Sequence, residues 1–306
     1  SFNDIADTPA VQISTENLNA IDAEAMTVTV ESGLRYGHFC SLLDDRGFAL
    51  HNLASLPHIS VAGACATATH GSGVGNGNLA TAVEEIEFVD GAGEIVTLSR
   101  GKDAEIFNGT VVGLGALGIV TRLKLKIEKN FAVTQNVFLD LPIDEMAANF
   151  DAIMSAGYSV SLFTTFRTRN VIDQAWVKRR TDAADEPLGD TFFGAPAAIE
   201  NVHPIGGISA ENCTEQLGVP GAWYERLPHF RMGYTPSSGE ELQSEFFVAR
   251  ENGVDAFLAI ESIADEIRPY IFTSEIRSIA QDDLWLSPNY KQDSIAFHFT
   301  WKQDDA

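Results

Sequence analysis

A strand that follows the glycine motif at residues 113–118 excludes one large class of nucleotide-binding fold. The motif matches G-x-G-x-x-G, and Asp140 follows at about the spacing of a ribose-binding acid. In a Rossmann fold this motif opens a helix, whose N-terminus meets the pyrophosphate. Here the next residues, IVTRLKLKI at 119–127, alternate apolar and polar side chains, which predicts a strand. We therefore predict a tight turn into a strand at this point.

The rest of the chain predicts an α+β protein with two domains. Its 306 residues exceed what one hydrophobic core usually serves. Residues 1–130 alternate strands and turns, with a strand at 25–33 and a hairpin around Asp90–Gly91. Residues 131–306 repeat the order strand, helix, strand, strand, with a predicted helix at 254–267. This order predicts an antiparallel sheet backed by helices.

One long segment has no regular pattern. Residues 181–239 are rich in Pro, Gly and Asn. A loop of that length inside a compact domain is usually functional, often a lid. We expect this segment to contribute to a site or to cover one.

The composition excludes several classes of partner. A net charge of −23 repels nucleic acid and anionic membranes, and no apolar run has membrane-spanning length. The histidines form no metal-ligand pattern, so we expect no metal site. Cys40, Cys65 and Cys213 are odd in number and lack redox or metal spacing, which favours a reducing, cytoplasmic compartment.

Residues 55–73, SLPHISVAGACATATHGSG, consist almost entirely of small or hydroxyl-bearing side chains. Glycine lets a backbone approach a ligand closely, and the freed N–H groups can bind anions or ring carbonyls. The alternative is a glycine-rich loop that packs closely against the protein itself. Composition alone leaves the two interpretations about equal.

A resemblance separates these interpretations. Residues 52–77, NLASLPHISVAGACATATHGSGVGNG, resemble the flavin-binding segment of the vanillyl-alcohol-oxidase-like flavoproteins, above all the alditol oxidases and sugar-lactone oxidases. The similarity extends over nearly the whole chain, including LGALGIVT, SVSLFTTFR, NCTEQLGVPGAWYERLPHFR, SSGEELQSEF, SEIRSIA and AFHFTW. It implies an FAD-binding domain at 1–130 and a substrate-binding cap domain at 131–306. The positions that it implies for contact with FAD are Ser55, Ser60, Gly63, Thr67, Ala68, Thr69, His70 and Ile119.

The resemblance also predicts that both ends of the family fold are missing. In the family a Gly-Ser-Gly-His run precedes the match to Ser1, and its histidine often carries the flavin covalently. Any covalent site is therefore expected outside this sequence. Beyond Ala306 the family continues with a His-Trp-Gly-Lys segment, whose lysine helps to hold substrate. We expect a fragment of a longer enzyme, with a truncated, non-catalytic product as one alternative.

Two predicted strands carry the candidate active site. In IFTSEIRSI (271–279), Glu275 and Arg277 share a face, and in SIAFHFTWK (294–302), His298 and Thr300 share the face opposite an apolar Phe and Trp set. If the strands pair, these four side chains meet. Periodicity alone slightly favours a solvated face with a surface Glu–Arg pair. The resemblance favours contact with a polyol.

The implied function is oxidation of the terminal hydroxyl of a polyol, such as xylitol or sorbitol, to the aldose. His298 is the candidate base, with Glu275 and Arg277 also assigned to catalysis. Ser55 and Thr300 join Glu275 and Arg277 in binding substrate, because hydroxyls need both donors and acceptors. O2 is the expected acceptor, giving H2O2, and a monomer is expected. The other alternative is an aldono-1,4-lactone oxidase or dehydrogenase.

Overall fold

The computed structural model describes residues 8–9, 11–24, 26–184, 188–234 and 241–303. Most of its strands belong to two antiparallel sheets, one on each side of residue 130. The predicted α+β class with an antiparallel sheet is therefore confirmed, while the domain boundary at 130/131 stays a prediction. Ser1, Ala25, Ala306 and part of 181–239 lie outside the described residues.

The first sheet lies within residues 21–126. The strands of this half are β1 (Ile21–Glu24), β2 (Thr27–Glu31), β3 (Phe48–Ala49), β4 (Val83–Val89), β5 (Ile95–Ser99), β6 (Ile119–Lys126) and β7 (Glu128–Lys129). Five pair in the order β1-β2-β6-β4-β5, and β3 pairs with β7. The helices are α1 (Tyr36–Asp44), α2 (Val61–Ala66) and α3 (Ala104–Thr110). Leu123 and Leu125 of β6 are buried in the core of this half, as the alternation predicts.

The glycine motif is a tight turn that leads into β6. Leu114 and Gly115 have φ values of +51° and +74°, and Gly118 has φ +149°. A Cβ at Gly118 would lie 2.1 Å from the carbonyl oxygen of Val89, so only glycine fits. The prediction of a turn instead of a Rossmann helix is confirmed.

The second sheet lies within residues 132–302. The remaining strands are β8 (Ala132–Pro142), β9 (Ser159–Thr164), β10 (Val171–Arg180), β11 (Thr191–Phe192), β12 (Ala195–Pro196), β13 (Gly221–Ala222), β14 (Glu241–Ala249), β15 (Ile271–Ile279) and β16 (Ser294–Lys302). Seven of them pair in the order β13-β8-β10-β9-β15-β16-β14, and β11 pairs with β12. The helices are α4 (Ile143–Met154), α5 (Gly253–Ser262) and α6 (Ala264–Ile267).

The predicted single helix at 254–267 is wrong, because α5 and α6 are separate. The Ser262 hydroxyl donates to the Ala259 carbonyl (2.7 Å), which competes with the helical pattern. Ile263 then adopts φ −109° and ψ 17°, outside helical geometry.

Within the described ranges, no helix has the length and apolar character needed to cross a membrane.

The second sheet has two different faces. Its helical face buries Leu162, Ile276 and Phe297 against α4 and α5. Its other face carries Phe163, Glu275 and the charged side chains described below. Strand alternation therefore separates an apolar core from a polar site within the same three strands.

Candidate active site

A cavity of about 670 Å³ lies where the segment around 54–70 faces the polar side of the second sheet. Predicted site residues on its wall are Ser55, Thr67, Ala68, Thr69, His70, Glu275, Arg277, His298 and Thr300. Ser60, Gly63 and Ile119 line a separate cavity of about 270 Å³. The structure thus brings the predicted residues to two cavities, and their roles stay predictions.

Strand register places the polar side chains in rows across the sheet. β15 and β16 are adjacent and antiparallel, with Glu275 opposite His298 and Thr273 opposite Thr300. On the far side of β16, Glu245 of β14 is opposite His298. Opposed residues point to the same face, so these groups converge on the cavity. Glu275 and Arg277 are 5% and 7% exposed, so the alternative of a solvated surface pair is wrong.

The small-residue segment docks directly on β15. The backbone N–H of Gly73 donates to the Ser278 carbonyl (2.8 Å), and that of Ala280 donates to the Asn76 carbonyl (2.9 Å). A Cβ at Gly71 would lie 2.3 Å from the Leu53 oxygen, and one at Gly73 would lie 2.4 Å from the Tyr158 oxygen. These two glycines therefore serve packing against the protein, and this packing brings His70 to the cavity.

Arg277 is the central charge of the site. Its Nη2 lies 2.7 Å from Glu245 Oε1, and its Nε lies 3.7 Å from Glu275 Oε1. Burial alone would raise the pKa of both carboxyls, but Arg277 and the neighbouring histidines outweigh burial. They hold the pKa of Glu245 and Glu275 well below the usual range, so both groups are acceptors at neutral pH.

His298 lies between these charges on β16. Burial lowers the pKa of His298, and the nearby Arg277 lowers it further, so its imidazole is neutral at neutral pH. Its Nε2 lies 3.2 Å from Gln243 Oε1. With that oxygen as acceptor, Nε2 carries the hydrogen and Nδ1 keeps its lone pair. A neutral imidazole with a free lone pair can act as a base.

His70 is tied to the same cluster. Its Nδ1 lies 2.8 Å from the Gly71 carbonyl oxygen, and its Nε2 lies 3.2 Å from Glu245 Oε2. Its own carbonyl accepts from Arg277 Nη1 (3.3 Å). A residue assigned to the cofactor segment therefore also fixes the charged cluster of the second sheet.

Sequence reasoning missed three charged or titratable groups at the site. Glu245 lies on β14, and the pairing of this strand with β16 was not considered. His229 and Lys178 form a buried pair behind Glu275, and only His229 fell in a stretch already singled out. Of that stretch, NCTEQLGVPGAWYERLPHFR, the residues Asn212, His229 and Phe230 line the cavity, which supports the expectation that the irregular segment contributes to a site.

The buried His229 predicts a loss of stability in mild acid. Burial, together with the charge of Lys178, lowers the pKa of His229 to about 4. In the unfolded chain it is about 6.5, so the unfolded state binds more protons as pH falls between these values. Stability is therefore lost in that window, by about 3 kcal/mol at its lower end.

Urea unfolding of the full-length protein at about pH 7 and about pH 4 measures this loss. His229→Gln does not titrate, and we expect it to lose about 3 kcal/mol less than wild type between the two conditions. The exposed His38 gives a matched control, since His38→Gln should behave as wild type. Equal losses in wild type and His229→Gln would contradict the prediction.

Comparison with known proteins decides the family. A family model described as "FAD binding domain" matches residues 1–99. The alditol oxidase of Streptomyces sp. (strain IKD472) is 47% identical over an alignment of 309 residues, covering 99% of this chain and 72% of that protein. The chain belongs to the alditol oxidase family. Its cofactor is FAD.

More distant relatives share the same matched region. The L-gulonolactone oxidase of Bos taurus is 30% identical over 320 residues, covering 96% of this chain and 69% of that protein. Two solved structures share the fold of this chain. A solvent-stable cholesterol oxidase has a TM-score of 0.68 at 13% identity, covering 94% of this chain and 67% of that one. A carbohydrate oxidase from Microdochium nivale has a TM-score of 0.66 at 14% identity, covering 95% and 65%.

The residues present fit FAD. Ala68 is buried on the wall of the large cavity with φ +52°, a left-handed conformation that is costly for a residue with a Cβ and often marks a binding site. Leu114, Leu117 and Ile119 beside the small cavity are 63%, 47% and 37% exposed, an apolar surface that a large cofactor can cover. The predicted cofactor residues of both cavities would hold the group.

Proposed function

We propose that this protein oxidises the terminal hydroxyl of a polyol such as xylitol or sorbitol to the aldose. Bound FAD would supply the hydride acceptor for this reaction, with O2 as the final electron acceptor, giving H2O2. The substrate C–H bond breaks with its electron pair, the hydroxyl proton leaves, and a C=O bond forms. The observation that carries the proposal is the convergence of Glu275, Arg277, His298 and Thr300 on one cavity.

The polar wall suits a chain of hydroxyl groups. Each hydroxyl needs one acceptor for its hydrogen and can accept from a donor. The ionised Glu275 accepts, Arg277 donates, and the hydroxyls of Thr300 and Ser55 can do either. A buried polar group left without a partner costs about 1–3 kcal/mol, so a substrate lacking one of the hydroxyls is disfavoured.

His298 is proposed as the base. Its neutral imidazole takes the proton of the reacting hydroxyl while the hydride leaves the same carbon. Arg277 and Glu275 lie on the adjacent strand and orient the substrate. Ser55 contributes from the opposite wall.

A sugar-lactone substrate is the second candidate. It is favoured by the match to L-gulonolactone oxidase, which covers 96% of this chain. The ionised carboxylates facing the cavity favour the polyol, because an acceptor-only group has no donor to offer a lactone carbonyl.

Hydrogen peroxide release by the full-length flavoprotein tests the proposal. We expect kcat/KM for xylitol or sorbitol to exceed that for L-gulono-1,4-lactone by at least about 10²-fold, the loss caused by unpaired polar groups in a site built for hydroxyls. An electron-accepting dye in place of O2 separates an oxidase from a dehydrogenase. A preference for the lactone under both conditions would overturn the polyol assignment.

The proposal also includes the compartment and the oligomeric state of the enzyme. Cys40, Cys65 and Cys213 are all free and buried, which suits a reducing cytoplasm. Because the cavity wall is built from this chain's own two parts, a monomer supplies all the site residues named here.

A further inference from the structure

Lys178 is a buried lysine of the second sheet. It lies on β10, between β8 and β9, and is 1% exposed. Among the described residues no carboxylate lies within ion-pair distance of it. A buried charge is costly unless its hydrogens are paired, so the presence of a lysine at this buried position calls for a reason.

All three hydrogens of Lys178 meet acceptors on one short segment. Its Nζ donates to the carbonyl oxygens of Leu227 and Pro228 (2.5 and 3.1 Å) and to Nδ1 of His229 (3.2 Å). Burial lowers the pKa of Lys178 to about 7, but only its ammonium form has enough hydrogens for all three acceptors. An ammonium has no acceptor capacity, so Nδ1 of His229 is then the unprotonated ring nitrogen. The opposite nitrogen, Nε2, then carries the hydrogen.

That hydrogen points at the candidate site. Nε2 of His229 lies 2.8 Å from Glu275 Oε1, and both side chains are buried. Arg277 Nε also approaches Oε1, at 3.7 Å. Both contacts use the same oxygen, so Oε2 is the oxygen left for a substrate hydroxyl. The chain Lys178–His229–Glu275 therefore runs from the sheet interior to the cavity.

We propose that Lys178 and His229 are positioning residues that fix the Glu275 carboxylate, so that its Oε2 faces the substrate. The proposal rests on the polyol oxidation proposed above. Lys178 sets the tautomer of His229, and His229 sets the orientation and charge of Glu275. The other charged or titratable groups around the pair are Arg277, Arg226 and the Cys213 thiol.

A purely structural role is the competing explanation. Lys178 could simply pin residues 227–229 against the sheet. In that case its replacement would lower stability or flavin content, without a specific effect on substrate affinity. A test must therefore separate substrate binding from folding.

The first test compares variants of the full-length flavoprotein by xylitol kinetics, flavin absorbance and thermal unfolding. Lys178→Met and His229→Leu remove the donors, and each should raise KM for xylitol about tenfold or more. His229→Gln keeps an amide donor near Nε2 and should stay within about threefold of wild type. The exposed Lys126 supplies the control, since Lys126→Met should change nothing.

A double-mutant cycle gives the decisive comparison. In a Glu275→Gln background the carboxylate is already gone, so adding Lys178→Met or His229→Leu should change kcat/KM by less than about threefold. Full additivity in the cycle, or an unchanged KM in both single variants, would overturn the proposal. If the wild-type protein does not oxidise polyols, that result would instead overturn the proposed function.

A second test is independent of activity. Long-range ¹H–¹⁵N spectra of histidine-labelled protein report the protonation of each ring nitrogen, and the His229 signals are those lost in His229→Gln. In wild type we expect Nε2 to carry the hydrogen, with a pKa for His229 of about 4. Lys178→Met should raise that pKa by at least about one unit, because a neighbouring positive charge is removed. A hydrogen on Nδ1 at neutral pH, or a titration unchanged in Lys178→Met, would contradict the proposed chain.

Discussion

Arg277→Met is expected to lower kcat/KM for xylitol about 10²- to 10³-fold, the cost of removing one preorganised charged donor from a reacting site. Arg277 is 7% exposed and contacts Glu245 at 2.7 Å. Without it, two carboxylates share a buried wall with no fixed cation between them. Breaking a buried ion pair from one side costs about 3–5 kcal/mol, so the free energy of unfolding should fall by a similar amount. Steady-state kinetics and urea unfolding of the full-length protein measure both effects.

Two control variants distinguish the loss of the positive charge, the loss of the guanidinium geometry and a general loss of structure. Arg277→Lys keeps the positive charge but loses the planar fork, so it should recover stability more than activity. Arg167 is exposed in the β9–β10 loop, and Arg167→Met should match wild type in both measurements. If Arg277→Met retained full kcat/KM for xylitol, the assignment of Arg277 to the substrate site would be wrong.

Period-two patterns carried most of what the sequence could predict about this site. They placed Glu275 and Arg277 on one face of β15, and His298 and Thr300 on one face of β16. Because β15 and β16 are neighbours in the sheet, the predicted meeting of these side chains is confirmed. Alternation works here because one face of each strand is buried against helices and the other faces the cavity.

The order of the strands in the sheet could not be predicted from the sequence. β14 pairs with β16 on the edge opposite β15, and this neighbour brings Glu245 against Arg277. The local pattern of residues predicts a strand but does not determine which other strands pair with it. The burial of Lys178 is still harder to predict, because Lys178 begins the run KRR at the end of β10 and is nevertheless only 1% exposed. A buried lysine is rare, so local sequence favours an exposed one.

The small residues at 55–73 turned out to have two explanations. Gly71 and Gly73 are small because other backbone segments approach them, as the close oxygens of Leu53 and Tyr158 show. Ser55, Ala68 and Thr69 line the large cavity instead. Composition could not tell these two groups of residues apart, because a small side chain permits the close approach of a ligand and of another backbone segment equally well.

His298→Ala is expected to slow reduction of the flavin by xylitol about 10²- to 10⁴-fold, the range that a positioned general base contributes. His298 lies on the cavity wall between Glu245 and Glu275, and the low pKa that burial and Arg277 impose keeps it neutral. Loss of the imidazole removes the acceptor for the hydroxyl proton while leaving the ionised carboxylates in place. Anaerobic stopped-flow absorbance of the full-length flavoprotein measures the step without O2.

Gln243→Ala provides the matched control for this variant. It removes the contact to His298 Nε2 (3.2 Å) but leaves the imidazole, so flavin reduction should slow by less than about tenfold. The pH dependence is the second criterion. If His298 is the base, the acid limb of the wild-type rate, where the imidazole becomes protonated, should disappear in His298→Ala. A variant that reduces flavin at the wild-type rate, with the same acid limb, would assign the proton to another group.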